Sequence, residues 1–203
     1  MPAWFAEFAA EARAIPVLEA IAVIAAILYL LLAIREHIAC WFFAGISSAL
    51  YVYILFDARL YMESALNLFY FAMAVYGWYS WRHGDGGEEL SVTRWPLKDH
   101  VIALGGIVAL TIASGVVLTR TTDAVMPYVD SATTWAALWA TFLVARKVLE
   151  NWWYWLAIDA TLVVVFSLRD LELTAALFGL YVVMIPFGLL RWRRSYLAGS
   201  AVA

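Results

Sequence analysis

The sequence predicts an all-α membrane protein of seven transmembrane helices in a parallel three-plus-one-plus-three arrangement, with the N-terminus outside and the C-terminus in the cytoplasm. Three observations carry that prediction. Two-thirds of the 203 residues are apolar, only 14% are charged and the mean hydropathy is +0.82, which excludes a water-soluble core. The apolar residues arrive in blocks close to the roughly 20 residues a helix needs to cross lipid, with polar punctuation between them. Finally, the chain resembles itself at a shift of 111 residues.

Taken in order, residues 1–16 contain Trp4, Phe5, Phe8 and Ala12 but no basic start and no small-residue cleavage site, which favours a short amphipathic helix on the membrane surface over a secretory signal. Spans follow at 17–34, 38–56, 60–81, 99–118, 131–145, 150–168 and 171–190. Residues 82–98, with mixed charge and four glycine or proline positions, form a cytoplasmic loop, and 194–203 a cytoplasmic tail. Arg35, Arg82, Arg94, Lys98, Arg146, Lys147, Arg191, Arg193 and Arg194 fall on one side of the spans. Arg13, Arg59, Arg120 and Arg169 fall on the other, and the basic excess assigns the first side to the cytoplasm.

Pairing 35–82 with 146–193 needs no gap and makes twelve of 48 positions identical, among them Arg35/Arg146, Trp41/Trp152, Ala49/Ala160, Tyr70/Tyr181, Met73/Met184, Gly77/Gly188, Trp81/Trp192 and Arg82/Arg193. Extended backwards, the register lays the first helix on the fifth through Ala25/Ala136 and Ala26/Ala137. The domains are therefore a first three-helix repeat over 17–81, a linker helix and loop over 99–127, and a second repeat over 128–193. An odd-numbered repeat reverses direction unless one span separates the copies, so the linker restores parallel orientation. A solute site between repeats that rock about it is a recurring transporter plan.

Chemistry concentrates in the sixth span, in RKVLENWWYWLAID over 146–159. Asp159 lies about nine residues inside, where a carboxylate costs on the order of 2.5–3.5 kcal/mol and calls for a wet cavity or a partner. Asn151, Trp155 and Asp159 recur every four residues, placing an amide, an indole and a carboxylate on one face suited to a flat cationic or polar heteroaromatic solute. Trp152 and Trp153 fit a pocket or an interfacial belt equally. In the third span Glu63, Asn67 and Tyr70 share a stripe, with Asn67 serving as ligand contact or interhelical glue. Thr133, Thr134 and Trp135 fit a ribose contact or helix packing. Tyr76, Trp78, Tyr79 and Trp81 read as an interfacial belt, and Pro186, deep in the seventh span, as a hinge or a packing kink.

Other classes lack their residues. Cys40 stands alone, and His37, His83 and His100 are too few and too peripheral for haem or zinc. No lysine lies in the last span for a retinal, and no catalytic triad, HExxH or phosphate loop appears. The expectation is a protein that is no enzyme, has no cofactor or metal and binds no nucleic acid, with lipid and a small solute as its partners.

At YGWYSWRHG (76–84), ARKVLENWWYWLAID (145–159) and LYMESALNLFYFAMAVYGWYSW (60–81), the chain resembles the PnuC family of nicotinamide riboside transporters over about 38–193. The resemblance implies a SWEET-like fold, a homotrimer with one pathway per subunit, and facilitated diffusion trapped by a cytoplasmic kinase. It also implies a substrate pocket at Asn67, Thr134, Asn151, Trp152, Trp155 and Asp159, beside Tyr70. Riboside-transporting members tend to have glutamine where Asn67 stands and asparagine where Asp159 stands, so thiamine and riboflavin are the alternatives within the family. A non-transporting membrane scaffold is the alternative outside it, and it requires Asn67 and Asp159 to pair and enclose no cavity.

Overall fold

A computed structural model describes residues 17–57, 59, 61–84 and 89–200. The surface helix expected over 1–16 and the end of the tail, 201–203, lie outside the described residues. The described chain forms seven α-helices: α1 (Val17–Ile34), α2 (Cys40–Asp57), α3 (Tyr61–His83), α4 (Leu97–Thr121), α5 (Pro127–Ala145), α6 (Asn151–Ser167) and α7 (Glu172–Ser200). Among them α1, α2, α4 and α7 are long and apolar enough to cross a membrane on length and composition alone. The other three include α3, with Glu63 and Asn67, and α6, with Asn151 and Asp159 in only 17 residues.

Two boundaries differ from the sequence reading by four residues or more. α5 starts at Pro127, not residue 131, because a proline at the first helical turn lacks only an N–H that would be unpaired anyway. α7 continues through Pro186 and on to Ser200, so most of the expected tail is helix.

α1, α2 and α3 pack into one unit and α5, α6 and α7 into another, while α4 packs along α5 and reaches α6 through His100, whose Nδ1 lies 3.0 Å from the Tyr154 hydroxyl. The units meet through α3 on α5 and α1 on α7. Positions 111 apart make the same contacts in both units. Trp81 Nε1 donates to Val144 O at 3.0 Å and Trp192 Nε1 donates to Ala33 O at 2.9 Å, a reciprocal exchange between the units. Trp41 meets Trp81 edge-on at 5.5 Å and Trp152 meets Trp192 edge-on at the same distance.

The helix ends repeat as well. Residues Glu36 (φ 57°) and Lys147 (φ 49°) are left-handed, as are Arg59 (φ 61°) and Asp170 (φ 57°). The first two close Schellman turns: His37 N donates to Leu32 O and Glu36 N to Ala33 O, as Val148 N does to Leu143 O and Lys147 N to Val144 O. Glycine usually fills such positions. Here Lys147 Nζ instead reaches 4.0 Å from Glu36 Oε2 and 4.6 Å above the Trp81 ring, and Ser195 Oγ donates to Glu36 Oε1, so the two turns are joined by their side chains.

The polar loop is pinned rather than free over its described part. Thr93 N donates to Lys147 O and Leu149 N to Thr93 O, while Glu150 accepts from Arg94 Nε at 2.7 Å and from Trp95 N at 3.3 Å. At the opposite helix ends Arg169 pairs with Asp130 at 3.2 Å.

Candidate functional site

A cavity of about 430 Å³ lies between the two units, within the range of small-molecule sites. Trp41, Trp152, Ala33, Val144 and Asn151 line the end next to the indole–carbonyl bonds, and Tyr51, Leu66, Thr133, Leu162 and Phe178 line the rest of its length. The close packing of that first end comes from glycine. A Cβ on Gly77 would lie 2.3 Å from the Trp41 ring and one on Gly188 2.3 Å from the Trp152 ring, so only a residue without a side chain lets each indole lie flat on the neighbouring helix.

The seven residues that the sequence assigned to the substrate pocket, Asn67, Tyr70, Thr134, Asn151, Trp152, Trp155 and Asp159, line this one cavity, whereas Glu63 and Trp135 do not. Asn151 is fully buried. Its Nδ2 donates to Val148 O at 2.6 Å, while Oδ1 has no partner among the described residues. Asp159 is 4% exposed, and no hydrogen bond or ion pair among the described residues reaches its carboxylate. A buried acceptor and a buried acid left without partners are the groups a polar solute would satisfy. Asn67 does not act as glue: its Nδ2 donates to Glu63 O of its own helix at 3.0 Å.

The structure separates residues the sequence left together. Trp152 is 2% exposed and Trp153 57%, so the first belongs to the interior and only the second to a belt. Trp78 and Tyr79 are likewise exposed, whereas Trp81 is buried and bonded, and Tyr76 stacks on Phe142 at 6.3 Å. Thr133 Oγ1 donates to Val129 O and Asp130 O, and Trp135 Nε1 to Ser114 Oγ on α4, so neither group is directed solely at a solute. Pro186 is exposed and lies off the cavity wall, one residue beyond Ile185, which lines it.

Sequence reasoning missed the wall built by α1 and α2. Tyr29, Trp41, Ser47, Ser48 and Tyr51 also line the cavity, as does Tyr181 of α7. The signal was present in the 111-residue register, which carries Trp152 onto Trp41, Trp155 onto Ala44, Asp159 onto Ser48 and Tyr70 onto Tyr181.

Seven helices among the described residues, four of them long and apolar enough to cross a membrane, around a cavity with buried polar groups define a multi-pass membrane protein of the solute-transporter class. Comparison with known proteins names the kind. The family profile described as nicotinamide mononucleotide transporter matches residues 16–194, and the chain belongs to that family. It is 30% identical over 181 residues to the nicotinamide riboside transporter PnuC of Escherichia coli K12, covering 75% of this chain and 74% of that protein, and equally similar to PnuC of Shigella flexneri. A solved structure described as the vitamin B3 transporter PnuC superposes with a TM-score of 0.67 at 20% identity, covering 87% of this chain and 80% of that one, and has the same fold.

Proposed function

We propose that this protein carries nicotinamide riboside down its gradient across a bacterial inner membrane, with phosphorylation by a cytoplasmic kinase trapping the vitamin. The observation that carries the reading is the cavity itself, in which Trp155 and Asp159 stand one helical turn apart on α6 beside the unpartnered Asn151 Oδ1. In this reading the indole stacks on the ring, the carboxylate answers its charge, and Asn151, Asn67, Thr134 and Tyr70 take the ribose and amide.

All seven helices cross the membrane, α1 entering from outside and α7 ending in the cytoplasm. Residues 17–81 and 128–193 are like-oriented repeats about an axis along the membrane normal, with 99–127 as linker. The reciprocal Trp81 and Trp192 bonds, the matched left-handed turns and the basic excess at one set of helix ends support this arrangement. The indole-bonded end is then the cytoplasmic gate, and transport rocks one unit against the other, with Pro186 as a hinge and the protein acting as a homotrimer with one pathway per subunit.

Uptake of labelled nicotinamide riboside and labelled thiamine into proteoliposomes tests the function. Riboside accumulation that needs an enclosed kinase and ATP, and equilibrates without them, is expected. Passage of thiamine alone would move the assignment to the other vitamin, and passage of neither would refute a vitamin carrier.

A further inference from the structure

Among the described residues, Asp159 is the one formally charged side chain on the cavity wall, and the position related to it by the repeat is the neutral Ser48. The wall is asymmetric in a second respect, because Trp155 corresponds to Ala44. The Trp155 indole and the Asp159 carboxylate are thus features of α6, absent from the matching positions of α2. Residues four apart on a helix stand about 5–6 Å from each other, which is no more than the width of a heteroaromatic ring. A solute stacked on Trp155 therefore brings its ring, not a distant tail, beside the carboxylate.

The carboxylate is 4% exposed and has neither a cationic nor a hydrogen-bonding partner among the described residues. A charge held in this way is compensated only when a cation arrives, and a neutral solute of the same shape leaves it uncompensated. Deepening the function proposed above and resting on it, we infer that Asp159 is a charge-specificity residue, restricting this carrier to solutes whose positive charge lies within a flat ring, such as a pyridinium or a thiazolium.

Binding to the purified full-length protein, measured calorimetrically with charge-matched pairs, tests this. The first pair is nicotinamide riboside, a pyridinium cation, and its neutral 1,4-dihydro form. The second is thiamine, a thiazolium cation, and neutral 3-deazathiamine. The expected result is a preference of about tenfold or more for the cation of whichever pair binds, retained in Asp159→Glu and reduced to within about threefold in Asp159→Asn, while Asp159→Asn keeps its affinity for the neutral member. That retained affinity shows that the variant is folded. An unchanged ratio in Asp159→Asn, or equal loss of both members, would overturn the inference. If only the thiazolium pair binds and its preference depends on Asp159, the riboside assignment falls and the charge rule stands. If the riboside pair binds without such a preference, the riboside assignment stands and the charge rule falls. Binding of neither pair would overturn both.

Discussion

Replacing Gly188 with alanine tests the fit of α7 against the cavity floor. The added Cβ would lie 2.3 Å from Trp152 Cη2, 2.4 Å from Cζ2 and 2.5 Å from Cζ3, more than an ångström inside ordinary carbon–carbon contact. A single rotating methyl cannot yield there. The whole indole, 2% exposed and braced edge-on against Trp192, has to move. Overpacking of this kind costs about 1–3 kcal/mol, which for a chain of this size lowers the unfolding midpoint by roughly 2–12 °C. Gly77→Ala should behave alike, since its Cβ would lie 2.3 Å from the Trp41 ring. The control is Gly105→Ala on α4, where nothing stands within 4 Å and helix propensity alone predicts a gain of up to about 1 kcal/mol. Thermal unfolding in detergent, followed by tryptophan fluorescence, reads all three. A Gly188→Ala protein as stable as Gly105→Ala would refute the packing argument.

Four further outcomes are expected. Trp155→Ala should weaken vitamin binding by at least tenfold with expression near normal, and unchanged affinity would remove that indole from the site. Trp81→Phe and Trp192→Phe each delete one indole–carbonyl bond, so each should cost about 1 kcal/mol or somewhat more in detergent unfolding, by similar amounts; a large effect of only one would contradict the reciprocal arrangement. Burial holds the Lys147 ammonium below the ordinary lysine range, with Glu36 opposing the shift. Because the unfolded chain then binds more protons between the folded and unfolded values, stability should rise with pH through that alkaline window, and the rise should be absent in Lys147→Met. Glu150→Ala removes the acceptor for Arg94 and Trp95, so limited proteolysis within 82–98 should accelerate several-fold, while cleavage at the wild-type rate would show that the loop is held by Thr93 alone.

What could be read in the sequence divides along the line between lipid and protein. Lipid accepts no unpaired backbone, so the helices announce themselves as apolar blocks, and the seven lie where those blocks lie. Boundaries were lost where capping rather than hydropathy decides: 127–130 carries a proline and an aspartate and looks like a loop, yet it forms the first turn of α5. Individual tryptophans were ambiguous for a similar reason. Trp152 and Trp153 have the same composition around them, and only the gap opposite Gly188 draws one inward.

The α6 wall was legible because an aspartate deep in a span is costly enough to demand an explanation, whereas Ser48 and Tyr51 on α2 are unremarkable in any helix bundle and stand out only through the repeat. The residues that the repeat conserves and those on which it diverges have different jobs. Trp81/Trp192 join the units by reciprocal bonds, while Trp41/Trp152 and Gly77/Gly188 set the same helix packing within each, and all stay the same because each contact is made twice. Ser48/Asp159, Ala44/Trp155 and Asn67/Phe178 face the cavity and differ, because a solute without two-fold symmetry cannot satisfy two identical walls. Identity at Gly77/Gly188 and Trp81/Trp192 thus belongs to the mechanical frame, while the cavity wall combines a shared pair, Tyr70/Tyr181, with positions that diverge. In the function proposed above, the divergent positions Asn67, Trp155 and Asp159 select the substrate, and exchanges of Trp81 or Trp192 should alter stability and rate without changing which solute is carried.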